Sequence, residues 1–238
     1  MSAVKKLKTI NFIKKQGNFS ESEDKLIEKA YLFGEKAHKG QLMGKVSYFN
    51  HPAYAGYLLA KWKQEGEAVS AGLLHDVIED CGVKLSEIKN NFGEKVAFYV
   101  DGMSWSKRKI NGVWKKDYEG YYKKFSDYVK KNYILAIVKA SDEMSKMPPK
   151  NAKKTIEALK EKGIWEKFQE MVNKRMRGFW IPFFSEIGFN KVVKRLKMQA
   201  RFVKEENIEV ILCNYISKKD LKTIKTNLGK VNCINELK

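Results

Sequence analysis

The stretch AGLLHDVIED, residues 71–80, decides the fold of this chain more than any other. Its first half continues an apolar run and its second half is polar, which predicts a central buried helix that ends in polar groups. On a continuous helix, His75 and Glu79 would share one face, and Asp76 and Asp80 would share the next. Buried polar groups need partners. One helix end could therefore offer both metal ligands and acid or base carboxylates.

Helical periodicity extends outward from this stretch over most of the chain. Ser20 and Glu23 have the form of a capping box before a first helix over about 21–39. Pro52 begins a second predicted helix, and His51 lies immediately before its first residue. The remaining helical patterns lie near 85–92, 93–103, 118–147 with an interruption near Asn132, 151–162, 164–176 and 186–204.

Two segments depart from the helical pattern. Asn111-Gly112 within 107–116 predicts a short exposed β-hairpin. The run Ile208 to Ile216 resembles a strand and is followed by a helical pattern, which predicts a small C-terminal β/α appendage. We therefore expect an all-α fold with an N-terminal extension at 1–20, a helical domain at 21–204 and the appendage at 205–238.

Composition restricts the partner and the compartment. The chain has 47 Lys+Arg against 28 Asp+Glu, and its net charge of +19 would attract phosphates, nucleic acids or acidic membranes. The lysines are spread along the whole chain, so a solvated basic surface explains them equally well. Apolar stretches fall short of the ~20 residues that span a bilayer, and no secretory signal pattern is present. Three cysteines without CxxC spacing favour a reducing cytoplasm.

A divalent ion held by His75 and Asp76 would need further ligands, because adjacent residues on one helix cannot surround it. His51 and Asp142 are the available candidates. Taken singly, His51 is more simply a capping or surface histidine and Asp142 a solvated helix residue. The individual residues thus leave a metal site and a capped helix end both open.

Several short segments together resemble the hydrolase domain of the RelA/SpoT family. They are Ala37–Gln41, Tyr48–Pro52, Ala71–Asp80, Phe92-Gly93, Val100–Ser104 and Lys139–Asp142. The resemblance covers roughly 22–160 and implies an HD-domain helical bundle. It also implies a small, stand-alone, metal-dependent enzyme that removes the 3′-pyrophosphate from (p)ppGpp and leaves GDP or GTP.

The resemblance further implies a division of roles within the site. Glu79 and Asp80 match the acidic pair that serves proton transfer and positions the attacking water, and His38 matches a buried structural histidine. The cofactor would be one Mn²⁺ per chain. The ligands implied for it are His51, His75, Asp76 and Asp142.

The substrate side follows the family less closely. Leu42-Met43-Gly44-Lys45 stands where a basic Arg-Lys pair is usual, and Glu143-Met144-Ser145-Lys146 stands where Arg-Leu-His-Asn is usual. We expect Lys45, Lys139 and Lys146 to attract the pyrophosphate, with loose selectivity for the base. Another phosphorylated nucleotide such as NADPH is an alternative substrate.

A basic nucleic-acid-binding or regulatory protein on the same fold is the alternative of a different class. Aromatic residues interleaved with lysines from Trp105 to Lys124 could stack on bases. We favour a solvated hairpin with Trp105, Trp114 and Tyr121 packed inward. A degenerate binding protein would be expected to lose ligands, whereas this chain keeps all four. No residue pattern predicts an oligomeric state.

Overall fold

The computed structural model describes residues 10–105, 107–110, 113–146, 152–204, 208–231 and 234–237. Helices dominate, which confirms the predicted all-α class. The chain divides into two compact units, Met1–Ser145 and Lys146–Lys238. The expected boundary at 204/205 falls inside the second of these units.

The helices of the first unit begin and end close to the predicted positions. Ser20 Oγ accepts from the Glu23 N–H at 3.3 Å and Glu23 Oε2 accepts from the Ser20 N–H at 2.9 Å, so the capping box forms. The helices are α1 (Ile10–Lys14), α2 (Glu21–Ala37), α3 (Asn50–Lys61), α4 (Gly66–Leu74), α5 (Val77–Cys81), α6 (Leu85–Met103, bent at Gly93 where φ is 86°), α7 (Tyr118–Lys131) and α8 (Ile134–Ser145).

Helix α4 is the centre of this unit. All of its residues except Glu67 are buried, and it packs against α2, α3, α6 and α8. A Cβ on Gly72 would come within 2.5 Å of Leu59 Cδ1, so the close approach of α3 requires glycine here. This packing places the C-terminal end of α4 beside α3 and α8.

The predicted continuous helix through the stretch 71–80 is wrong at one point. Helix α4 ends at Leu74 and α5 begins at Val77, which leaves His75 and Asp76 at the junction. A continuous helix would pair the Gly72 carbonyl with the Asp76 N–H. That carbonyl instead accepts a hydrogen bond from His75 Nδ1 at 2.8 Å. The side chain therefore competes with the backbone for this acceptor, and the polar residues lie in a turn.

Two short antiparallel hairpins complete the first unit. Strands β3 (Lys107–Ile110) and β4 (Val113–Lys116) confirm the predicted hairpin, although its Asn111-Gly112 turn lies outside the described residues. The other hairpin consists of β1 (Leu42–Met43) and β2 (Val46–Ser47).

The second unit has its own aromatic core of Phe179, Trp180, Phe183, Phe184 and Phe189. Its elements are α9 (Ala152–Glu161), α10 (Trp165–Glu170), a π-helix (Met171–Trp180), α11 (Ile181–Glu186), α12 (Asn190–Ala200), a 3₁₀ helix (Leu212–Asn214), α13 (Lys218–Leu228) and a second 3₁₀ helix (Ile234–Glu236).

The predicted strand at 208–216 is wrong. Residues 208–211 are irregular, and the short 3₁₀ helix follows them. A strand needs a pairing partner, and the described residues of this unit provide none. The Ile211 N–H instead donates to the Gly178 carbonyl at 3.1 Å, while Leu212 and Ile216 are buried. The helix predicted after it is confirmed as α13.

No helix in the described part of the chain combines the length and apolarity needed to cross a membrane.

Candidate metal centre

The α4–α5 junction, the start of α3 and the end of α8 bring four predicted ligands together. Nε2 of His75 lies 3.2 Å from Asp76 Oδ2 and 3.5 Å from Asp142 Oδ1. Nε2 of His51 lies 3.6 Å and 3.3 Å from the same two oxygens. Donor atoms ~2.1 Å from an ion lie about 3.0–3.4 Å apart in tetrahedral or adjacent octahedral positions. The spacing of His51, His75 and Asp142 therefore fits a shared divalent cation, and Asp76 lies beside both imidazoles.

The ring orientations favour a cation even more directly. His75 Nδ1 must donate to Gly72, because a carbonyl only accepts. Ser145 Oγ donates its hydrogen to the Asp142 carbonyl at 2.7 Å, so it accepts from His51 Nδ1 at 2.7 Å. In the neutral rings both Nε2 lone pairs then point inward, and these atoms are 3.3 Å apart. Two facing lone pairs repel, and a cation bound between them would relieve that repulsion.

The charges around the two histidines also favour a bound cation. Burial opposes protonation of His75, but the carboxylates of Asp76 and Asp142 outweigh it and raise the pKa of His75 well above its ordinary value. Burial alone would raise the pKa of Asp76, yet His75 and His51 lower it. The two carboxylates thus make this cluster attractive to positive charge, and a divalent ion would compete with protons for it.

Each of the four side chains has its own supporting partner. Besides Gly72 and Ser145, Tyr48 Oη donates to Asp76 Oδ2 at 2.8 Å and Lys139 Nζ donates to Asp142 Oδ2 at 2.7 Å. Burial and the nearby Asp76 carboxylate raise the pKa of Tyr48, which keeps it a donor.

Sequence reasoning missed these supporting partners. Ser145 follows Asp142 by three residues on one helix, a spacing that could have indicated contact. Tyr48 lies within one of the family-like segments, three residues before His51. Its contact is with Asp76, which is far away in the sequence, so no local pattern indicates it.

The predicted catalytic pair lies on α5 in two different environments. Glu79 is largely buried, its Oε1 accepts from the Trp105 N–H at 2.7 Å, and its Oε2 is 3.5 Å from Lys116 Nζ. Burial raises the pKa of Glu79, partly opposed by the Trp105 hydrogen bond and the charge of Lys116. Asp80 is exposed. Of the two carboxylates, Glu79 is the one whose orientation is fixed by its partners.

The three lysines expected to bind phosphate differ in position. Lys45 is exposed in the turn between β1 and β2. Lys139 was expected to attract the pyrophosphate. It is only 2% exposed and contacts Asp142 and Glu143, so its charge does not face the solvent. Lys146 begins the second unit, where its carbonyl accepts from Gln199 Nε2.

His38 has the structural position that was expected of it. It is 1% exposed, and its Nδ1 lies 2.7 Å from Gln41 Oε1. Gln41 Nε2 in turn donates to the Asp80 carbonyl at 3.0 Å. This chain of hydrogen bonds ties the end of α2 to α5, and so fixes the helix that carries Glu79.

The aromatic residues near the β3–β4 hairpin pack on one another. The ring centroids of Trp105 and Tyr121 are 3.9 Å apart, and Tyr121 and Tyr122 are buried. The side chain of Trp114 lies outside the described part of the structure. This packing agrees with the inward arrangement that we favoured over base stacking.

Comparison with known families identifies the domain around this centre. Residues 30–125, which include three of the four clustered side chains, match the family described as "HD domain". This part of the chain is therefore similar to HD domains. Asp142 lies beyond the matched residues, so the centre draws one of its side chains from outside that range.

The region that matches the HD-domain family is also similar to curated proteins. It is 37% identical over 81 residues to a guanosine-3′,5′-bis(diphosphate) 3′-pyrophosphohydrolase of Spiroplasma citri, over 34% of this chain and 11% of that protein. A protein of the same name from Vibrio cholerae is 36% identical over 90 residues, which are 37% of this chain and 13% of that protein.

The "bifunctional (p)ppGpp synthase/hydrolase SpoT" of Escherichia coli K12 is 38% identical over 85 residues, which are 35% of this chain and 12% of that protein. The matched part thus spans about an eighth of these relatives. The similarity concerns the HD region and does not extend to the whole relatives.

Proposed function

We propose that this chain is a divalent-metal-dependent phosphohydrolase that removes the 3′-pyrophosphate from (p)ppGpp or a closely related nucleotide. The observation that carries the proposal is the pair of inward-facing Nε2 atoms of His51 and His75, 3.3 Å apart, with the Asp142 carboxylate beside them. The names of the relatives support the reaction and the substrate class.

One Mn²⁺ is the proposed cofactor, held by His51, His75, Asp76 and Asp142. Mixed imidazole and carboxylate donors suit an ion of this class. Such an ion supplies Lewis acidity, which lowers the pKa of water and neutralises charge on phosphoryl oxygens. Tyr48 and Ser145 hold two of the donors in position.

Glu79 is the proposed proton acceptor. Its carboxylate is anchored at both oxygens, which fixes its direction, and its raised pKa brings it closer to the working pH. Asp80 is proposed to position the attacking water from the exposed side of α5. Lys45 would attract the leaving pyrophosphate from the β1–β2 turn.

The proposed setting is the cytoplasm, where nucleotides are available and thiols stay reduced. Cys81 and Cys213 are free in the described part of the chain, which suits that setting. A nucleic-acid partner is favoured less, because Trp105 and Tyr121 stack on each other.

The test is a Mn²⁺-supplemented hydrolysis screen over ppGpp, pppGpp, the adenine counterpart of ppGpp, NADPH, dNTPs and short RNA. We expect release of pyrophosphate with GDP or GTP, and a modest preference for guanine because Leu42 and Met43, 68% and 53% exposed, replace basic residues. Hydrolysis of NADPH alone would keep the enzyme class and change the substrate. Absence of turnover with every compound, although Mn²⁺ is bound, would contradict the proposal.

A further inference from the structure

The end of α8 carries a buried charged pair beside the metal centre. Lys139 and Glu143 lie one helical turn apart, with Lys139 Nζ 2.8 Å from Glu143 Oε1 and 2.7 Å from Asp142 Oδ2. The three side chains are only 3%, 4% and 7% exposed. Removing such charges from water is costly, so burial of the pair is weak evidence for a role in stability alone. A role at the adjoining site explains it better.

Asp142 connects this pair to the centre, and its two oxygens have separate partners. Oδ1 lies 3.3 Å from His51 Nε2 and 3.5 Å from His75 Nε2, whereas Oδ2 accepts from Lys139. The hydrogen bond to Oδ2 fixes the plane of the carboxylate. Only Oδ1 is then directed at the space where a cation would bind.

Charge balance explains why Glu143 accompanies the lysine. An ammonium next to Asp142 would compete with a divalent cation for the charge of that carboxylate. Glu143 supplies a second negative charge to the same ammonium, so Lys139 and Glu143 together are close to neutral.

We propose that Lys139 and Glu143 are a positioning pair that directs Asp142 Oδ1 toward the bound cation and leaves its charge available to that cation. Neither residue is proposed to contact the substrate. The inference rests on the metal site of the proposed function and is independent of the substrate.

The first test measures Mn²⁺ affinity of the full chain by calorimetry, with circular dichroism to verify that each variant is folded. We expect Glu143→Gln to weaken binding by about 10–100-fold, the usual effect of removing a group that supports a metal ligand. Glu170→Gln is the matched control, since it removes an exposed Glu–Lys pair of the same spacing and the same 2.8 Å distance. The control should bind Mn²⁺ like the wild type.

A second variant separates positioning from simple charge. Lys139→Met/Glu143→Gln removes one charge of each sign, so its net charge equals that of the wild type, and it also removes the hydrogen bond from Lys139 to Asp142 Oδ2. If the pair positions Asp142, this variant still binds Mn²⁺ at least ~10-fold more weakly.

Wild-type affinity in the double variant, or in Glu143→Gln, would overturn the proposal. A wild-type chain that binds no Mn²⁺ would overturn both this inference and the metal site. Weakened binding as expected, together with no nucleotide hydrolysis, would leave the positioning pair in place and reject only the proposed reaction.

Discussion

The two ends of the candidate site are built in opposite ways. At the metal end, His75 and Asp142 are buried, and each of the four donors has a hydrogen-bonding partner that fixes its direction. At the substrate end, the β1–β2 hairpin exposes Leu42, Met43 and Lys45. Buried donors have few alternatives to their partners, whereas exposed loop residues can change without disturbing a core. We infer that the chemistry is fixed by the buried end and that the substrate can vary with the exposed end.

The largest loss of function is expected when a proposed metal ligand at the buried end is altered. Asp142→Asn and Asp76→Asn should each weaken Mn²⁺ binding by more than the ~10–100-fold typical of supporting groups, because a neutral amide is a poorer donor than a carboxylate. Calorimetric titration would measure the loss. Asp127→Asn, which changes a partly exposed aspartate paired with Lys130, is the control and should bind normally. Full affinity in both ligand variants would mean that the ligands are wrongly assigned.

The next effect separates catalysis from metal binding. Glu79→Gln should lower kcat by about 10²–10⁴-fold, because it removes a proton acceptor, while Mn²⁺ affinity is kept. Steady-state kinetics and a metal titration on the same sample would test this. Glu87→Gln, an exposed residue of α6, serves as the control. An unchanged kcat would assign Glu79 to holding Trp105 instead.

A smaller effect is expected at the exposed end. Lys45→Gln should raise KM by ~5-fold at most, since an exposed ion pair contributes about 0–1 kcal/mol. Salt should raise KM of the wild type more than that of the variant, because it screens the charge that the variant lacks. KM measured at two ionic strengths decides this. A KM that salt does not affect would remove Lys45 from substrate binding.

The smallest effect is a shift along the pH axis. The charge of Lys116 lowers the pKa of Glu79, so Lys116→Gln should raise that pKa. Activity requires the deprotonated carboxylate, and the acidic limb of kcat/KM against pH should therefore move to higher pH. The two groups are 3.5 Å apart and Lys116 is 45% exposed, so the shift should be small and should shrink with added salt. A shift to lower pH would contradict the role of Glu79 as base.

The contrast also explains what the sequence could predict. Local patterns predict the helices of the first unit, the β3–β4 hairpin and the bend at Gly93. These patterns are helical periodicity with a capping box, an Asn-Gly pair, and a glycine between two helical segments. The RelA/SpoT-like motifs selected four side chains that the structure then brings together.

Long-range contacts account for what could not be predicted. The helix break at His75 depends on its side chain competing for the Gly72 carbonyl, and Lys139 is buried because it has two carboxylate partners. The absence of a strand at 208–216 depends on pairing, which a local apolar pattern does not contain. Each of these outcomes is decided by a partner and not by the segment itself.

The most direct test of the central claim is a crystal structure of the full chain grown with Mn²⁺, with anomalous diffraction data to locate the ion. The account predicts one anomalous peak per chain, ligated by His51 Nε2, His75 Nε2, Asp76 and Asp142 Oδ1, with Lys139 still on Asp142 Oδ2. A peak elsewhere, or no peak among these four side chains at saturating Mn²⁺, would contradict it.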